Sequence, residues 1–195
     1  MVVHPSVPAS NLKEFIAYAK ANPGTVAYAS AGQGSTNHLS AALFEKAAGV
    51  KMMHIPYRGG APAVMDTVAG RTQVLFSAGT QTLPHVQTGK LKLLAVTEEQ
   101  RSPLLPDVPK VAETLPGYEL SVWYGAFGPA GMPPELTARL NQEINRILKR
   151  PDVIKKMADM GVLLMDTTPE QFSKVLARDA DKYGKLIKEL GITAE

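Results

Sequence analysis

The 195-residue chain has no cysteine. That absence excludes disulfide frameworks, cysteine-bound zinc, iron–sulfur clusters and thiol nucleophiles. It leaves the redox compartment open, since the periplasm and the cytosol both accept a cysteine-free chain. Charge of one sign is also scarce: 21 Lys and Arg stand against 18 Asp and Glu, a net +3. Acids and bases alternate, as in Lys149, Arg150, Asp152, Lys155, Lys156 and Asp159. Such interleaving describes solvated helix faces, and no nucleic-acid partner is expected. Apolar runs long enough to span a membrane are missing; the strongest are strand-sized. A basic leader with an apolar stretch is missing too, and the chain opens on a strand-like Val2-Val3. That start is expected of a piece of a longer protein. The length corresponds to one large domain, or one and a part. It suffices to bury roughly 70% of the unfolded surface without staples.

What is present alternates between two periods. Ser10 is placed to cap a helix carrying Leu12, Phe15, Ile16 and Ala19, ended by Asn22-Pro23-Gly24. Strands are expected at 26–29, 52–55, 74–76 and 91–96, and helices at 37–48, 62–69 and 81–87. Each of the first three of these strands runs through a small-residue loop into a helix: 30–37, 56–60 and 77–79. This pattern predicts an α/β fold with a largely parallel sheet. Residues 101–116 form a proline-rich connector, 118–127 an extended stretch and 128–134 a hinge. Beyond it the chain is mainly helical. Leu136, Leu140, Ile144 and Ile147 share one register, a short helix follows Pro151, and Val162–Met165 is strand-like. Thr168 caps a last helix with Phe172, Val175, Leu176, Tyr183, Leu186 and Ile187 expected inward.

In open α/β sheets, ligands bind at the carboxyl ends of strands. Helix N-termini there offer free N–H groups and partial positive charge to an anion. Ser35, Thr36 and Ser77 add hydroxyls. A small carboxylate is therefore the expected ligand, against the plainer reading that small residues only make tight turns. Gly32-Gln33-Gly34 begins like a dinucleotide fingerprint, but the third glycine position holds Asn37. No Gly-x-Ser-x-Gly elbow surrounds Ser30, Ser35 or Ser77. The four histidines lack metal-pair spacing, so neither metal nor cofactor is expected. His38, in the first turn after a loop, suits either ligand contact or a capping role; His54 reads as a sheet-end residue. Arg58 is a candidate charged anchor or an ordinary turn residue, because guanidinium pairs with carboxylate in a fork. Trp123, the single tryptophan, either lines a cleft or fills the core.

Two runs carry a resemblance. Tyr28-Ala29-Ser30-Ala31-Gly32-x-Gly34-Ser35-x-x-His38-Leu39 and His54-Ile55-Pro56-Tyr57-Arg58-Gly59-x-Ala61-Pro62-Ala63 resemble the Bug family. These are TctC-like extracytoplasmic solute receptors of tripartite tricarboxylate transporters. Leu83-Pro84-His85-Val86, Arg101-Ser102-Pro103, Pro116-Gly117-Tyr118-Glu119 and Trp123-Tyr124-Gly125 extend the likeness along the whole chain. The resemblance implies a two-lobed, periplasmic-binding-protein-like architecture closing over a carboxylate, no catalysis, and a membrane permease as partner. It implies ligand contacts at Ser30, Ala31, Gly32, Ser35, Thr36 and His38, at Tyr57, Arg58, Gly59, Gly60 and Ala61, and at Ser77, Ala78 and Trp123. Residues 1–127 would be the complete second lobe, and 128–195 the helical segment that packs onto a first lobe.

Two departures matter. The family's leader and most of its first lobe have no counterpart here, so an apolar face is expected to lie uncovered, open to a second copy. Ser77 stands where relatives often carry Asp, which favours a plain di- or tricarboxylate or an aromatic acid over an amino acid. Two other readings remain open: an interaction or sensory domain impaired in ligand binding, and a small α/β hydrolase using a loop serine.

Overall fold

Local capping and tertiary pairing together set the elements of the computed structural model, which describes residues 1–192. Residues 193–195 of the expected helical segment lie outside the described residues. Strand β1 (Val2–Val3) leads to helix α1 (Leu12–Ala21). The cap of α1 is Asn11, not Ser10: Asn11 accepts the Glu14 N–H at 3.0 Å, and Glu14 accepts the Ser10 N–H at 2.7 Å. This reciprocal exchange needs the acid three residues after the cap, which selects Asn11. Then come β2 (Ala27–Ser30), α2 (Thr36–Ala48), β3 (Met53–Pro56), α3 (Gly60–Val68), β4 (Val74–Leu75), α4 (Gly79–Gln87) and β5 (Lys92–Leu93). Ser35 caps α2, and Gly49 ends it in the left-handed conformation, φ 61°.

The strand–loop–helix alternation is as expected, but the sheet is mixed rather than largely parallel. Its order is β3-β2-β4-β1-β5. β2 runs parallel to β3 and β4, whereas β1 is antiparallel to both β4 and β5. The direction of β1 is set by long-range pairing of Val2 with Leu75 and Leu93, which leaves no local signature. The strand expected over 91–96 shortens to β5, with one parallel bridge from Val96 to Lys110. Residues 162–165 and 118–127 form no strand.

Alternation along the strands supplies two cores. Val3, Tyr28 and Val74 join Phe15 and Phe44 on the α1/α2 side. Val2, Ala29 and Leu75 join Ala63, Val64 and Leu91 on the other. Both faces of the sheet are thus covered, as parallel pairing requires. A third cluster of Leu39, Leu120 and Leu186 ties α2 to the extended stretch and the last helix.

The remaining helices are α5 (Pro134–Leu148), α6 (Pro151–Asp159) and α7 (Pro169–Glu189). Their N-terminal prolines and the Thr168–Gln171 capping box were legible in sequence. Neither α5 nor α6 buries a residue. Leu140 is 45% exposed and Ile144 40%. In α7, Leu176 is exposed instead of inward, because only the last turns of that helix reach the Leu39–Leu120 cluster.

Candidate ligand-binding site

The strand order places the ends of β3, β2 and β4 side by side, so the three loops that follow them meet along one edge of the sheet. The Tyr57 N–H donates to the Ser30 carbonyl at 3.0 Å, and the Gly59 N–H to the Ala31 carbonyl at 3.2 Å. Asn37, at the start of α2, donates from Nδ2 to the Phe76 carbonyl. Gly32 (φ 125°) and Gly59 (φ 115°) adopt conformations that L side chains rarely take. Gly60 abuts Gln81, where an added Cβ would lie 2.8 Å from the side-chain amide. Gln81 in turn accepts from the Ser77 hydroxyl at 2.8 Å. First-turn residues of α2 and α4 therefore lock the loops together. Sequence reasoning missed Asn37 and Gln81, although both sit in the helix starts it had singled out.

The bonds inside the loops sort the backbone donors. Gly32 N–H is taken by the Ser30 hydroxyl (3.2 Å), Ser35 N–H by the Gly32 carbonyl (3.2 Å), and Gly34 N–H by His38 Nδ1 (3.1 Å). The Ser35 hydroxyl is held by the Gly32 carbonyl at 2.7 Å. By contrast, the N–H groups of Ala31, Thr36, Asn37, Arg58, Gly60, Ala61, Ser77 and Ala78 find no backbone acceptor among the described residues. α3 and α4 have no side-chain cap at all. Uncapped first-turn donors in an apolar-walled edge are open to an anion.

The charged and titratable groups divide similarly. Arg58 is exposed and makes no ion pair among the described residues. The Tyr57 hydroxyl is committed to Asp66 (2.8 Å), which also pairs with Arg71 at 2.6 Å. Burial and that carboxylate raise the Tyr57 phenol, while the bonds from Tyr57 and Arg71 hold Asp66 below the usual carboxylate range. Ser30 is fully buried, with its hydroxyl 2.6 Å from His54 Nε2 and 3.1 Å from the Gly32 carbonyl, so it is not presented as a nucleophile. His54 stacks on Tyr28 (4.8 Å) and on His38 (4.1 Å). Burial, helped by neighbouring His38, lowers His54 to about 4; burial also lowers His38.

Trp123 is anchored away from the loops' own hydrogen-bond network. Its indole donates to Asp179 Oδ2 at 2.7 Å, and its ring meets Phe172 edge-on at 5.1 Å. Burial pushes the Asp179 carboxyl up, but the hydrogen bonds from Arg178 and Trp123 outweigh it and hold the group low. Among the described residues no cluster of His, Asp and Glu is arranged to hold a metal ion, and no helix is long and apolar enough to cross a membrane.

Residues 1–192 match the family model described as "Tripartite tricarboxylate transporter family receptor". The chain belongs to this receptor family. Among relatives of the receptor is protein BugT of Bordetella pertussis, 32% identical over 192 residues, which cover 98% of this chain and 59% of BugT. Two solved Rhodopseudomonas palustris structures share the receptor's fold. One is Rpa4515 with adipate: TM-score 0.93, 30% identity, 98% of this chain and 64% of that one. The other is MatC with bound malate: TM-score 0.83, 27% identity, 95% of this chain and 65% of that one. The receptor chain thus spans about three fifths to two thirds of the length of these relatives.

Proposed function

We propose that this chain supplies one wall of a solute receptor for a small organic anion. The observation that carries the reading is the convergence of the open α2, α3 and α4 first-turn donors at one sheet edge. The acids bound by the two R. palustris relatives support the same ligand class, a di- or tricarboxylate or an aromatic acid. Ala31, Thr36, Gly60, Ala61 and Ala78 donate through backbone N–H groups, Ser77 adds its hydroxyl, and Arg58 is the mobile charge at the rim. Trp123 stands beside the cleft, on the segment that leads out of residues 1–127. The helical segment from 128 onward packs against the other lobe of the full receptor. Closure over the acid shifts the population toward the form a tripartite permease recognises in the periplasm, because only that form gains contacts to the anion.

Calorimetry of the chain with adipate, malate, citrate and benzoate tests this reading. Saturable heat with at least one acid, weakened about three- to tenfold by Arg58→Ala, is the expected outcome. Absence of heat with every acid favours the second reading, an interaction domain. The observation behind that alternative is the exposed apolar face of α5. Sedimentation then tells whether a second copy covers it.

A further inference from the structure

The carboxylate reading leaves two buried histidines of the first loop without a task. His38 is 7% exposed and is the third residue of α2. Its Nδ1 accepts the Gly34 N–H at 3.1 Å, while its own N–H donates to the capping Ser35 hydroxyl at 3.4 Å. The two bonds form a reciprocal latch like a capping box, with an imidazole in the place of the usual carboxylate. Nδ1 has a lone pair to offer only when the ring is neutral and carries its proton on Nε2.

The surroundings maintain that state. His54 of β3 stacks on the His38 ring, with centroids 4.1 Å apart and planes 13° apart, and Tyr28 of β2 stacks on His54. His54 Nε2 reaches the Ser30 hydroxyl at the end of β2. The titratable groups facing His38 are thus His54 and Tyr28; Glu45, further along α2, acts on the Tyr28 phenol. Burial lowers both imidazoles, so both remain neutral through neutral pH.

We infer that His38 is a positioning residue of the binding site: through Gly34 it fixes the first loop so that the Thr36 and Asn37 N–H groups stay open to the anion, without itself touching the ligand. This inference rests on the receptor reading above. It gives the buried imidazole a role that a ligand contact would not, since its acceptor atom is already engaged.

Two variants of the full chain separate positioning from simple packing. His38→Phe keeps a ring for His54 to stack on but has no acceptor. His38→Asn can return an acceptor near the Nδ1 position. Adipate affinity is measured by calorimetry, and the Gly34 amide by hydrogen exchange in NMR. The Phe variant is expected to lose about tenfold in affinity, with faster Gly34 exchange, and the Asn variant to restore most of both. In the parent, Gly34 protection should survive as pH falls through about 6.5 and fade only below it; in the Asn variant it should not titrate there. Unchanged Gly34 exchange in the Phe variant overturns the inference, as does equal loss in both variants. A parent that binds no acid sinks the receptor reading instead, while Gly34 exchange still decides whether the latch exists.

Discussion

The sheet region and the helical segment after residue 133 are built from similarly patterned helices, yet they differ in what those helices cover. α1 buries Leu12, Phe15 and Ala19, and α2 buries Leu39, Ala41 and Phe44. α5 presents Leu136, Leu140, Ile144 and Ile147 in equally regular register and buries none of them. Amphipathic spacing therefore identifies which face of a helix seeks cover, not whether cover is present within the chain. The segment is held chiefly by its last turns, through Leu186, and by polar straps: Tyr183 to the Ser121 backbone and Asp179 to Trp123.

The largest effect expected from this contrast lies in the sheet region. Phe44→Ala should lower stability by about 3–5 kcal/mol, read as the urea midpoint. Ile144→Ala should change it by less than about 1 kcal/mol in the same chain. Equal costs would mean that the α5 face is covered in solution, and the contrast would collapse. Next in size is the strap. Asp179→Ala leaves the Trp123 indole without its acceptor and should destabilise the segment by about 1–3 kcal/mol. Trp123 is the sole tryptophan, so its fluorescence follows the segment while circular dichroism follows the whole chain. The fluorescence midpoint should come first in urea and move further ahead in the variant; coincident midpoints would make the two regions one cooperative unit.

Acid should act on the sheet region before the segment. His54 is lowered to about 4 and His38 is lowered as well, so the unfolded chain binds protons more readily than the folded one. Their contribution is fully present above about pH 6.5 and is lost as pH falls from there toward 4. Asp179, held low in the fold, loses its contribution only at lower pH, below the ordinary carboxylate value. Urea midpoints across pH 7 to 4 should therefore fall in the parent and flatten in His54→Phe. The smallest effect belongs to exposed pairs such as Lys155–Asp159, where Lys155→Ala should cost no more than about 0.5 kcal/mol.

Much of the sheet region was legible in sequence because its signals are local. Loop glycines, Ser35 as a cap and the change from period two to period 3.6 placed β2 through α4 within a few residues, and they drew attention to the edge where the loops meet. What stayed hidden depends on partners distant in sequence. The antiparallel course of β1, the brevity of β5 and the irregular path of 162–165 are each decided by pairing or its absence. Within the site, the positions of the loops were readable, but not which amides they keep open. That selection depends on the Ser30 and His38 side chains capturing Gly32 and Gly34, and on His54 arriving from a neighbouring strand. The length of the R. palustris relatives supplies what no periodicity could, namely a reason for α5 to carry an apolar face.

The place of β1 has a consequence for the order of assembly. Its two residues lie between β4 and β5, so the middle of the sheet closes only after residues 74–75 and 92–93 exist and come back to the start of the chain. The neighbours β2 and β3 need no such wait, since one helix joins them. During synthesis the opening residues must therefore remain unpaired while the strands that will flank them are made. The rate-limiting event expected for this region is the threading of an already formed β3-β2-β4 layer around its own first strand, a high-contact-order step.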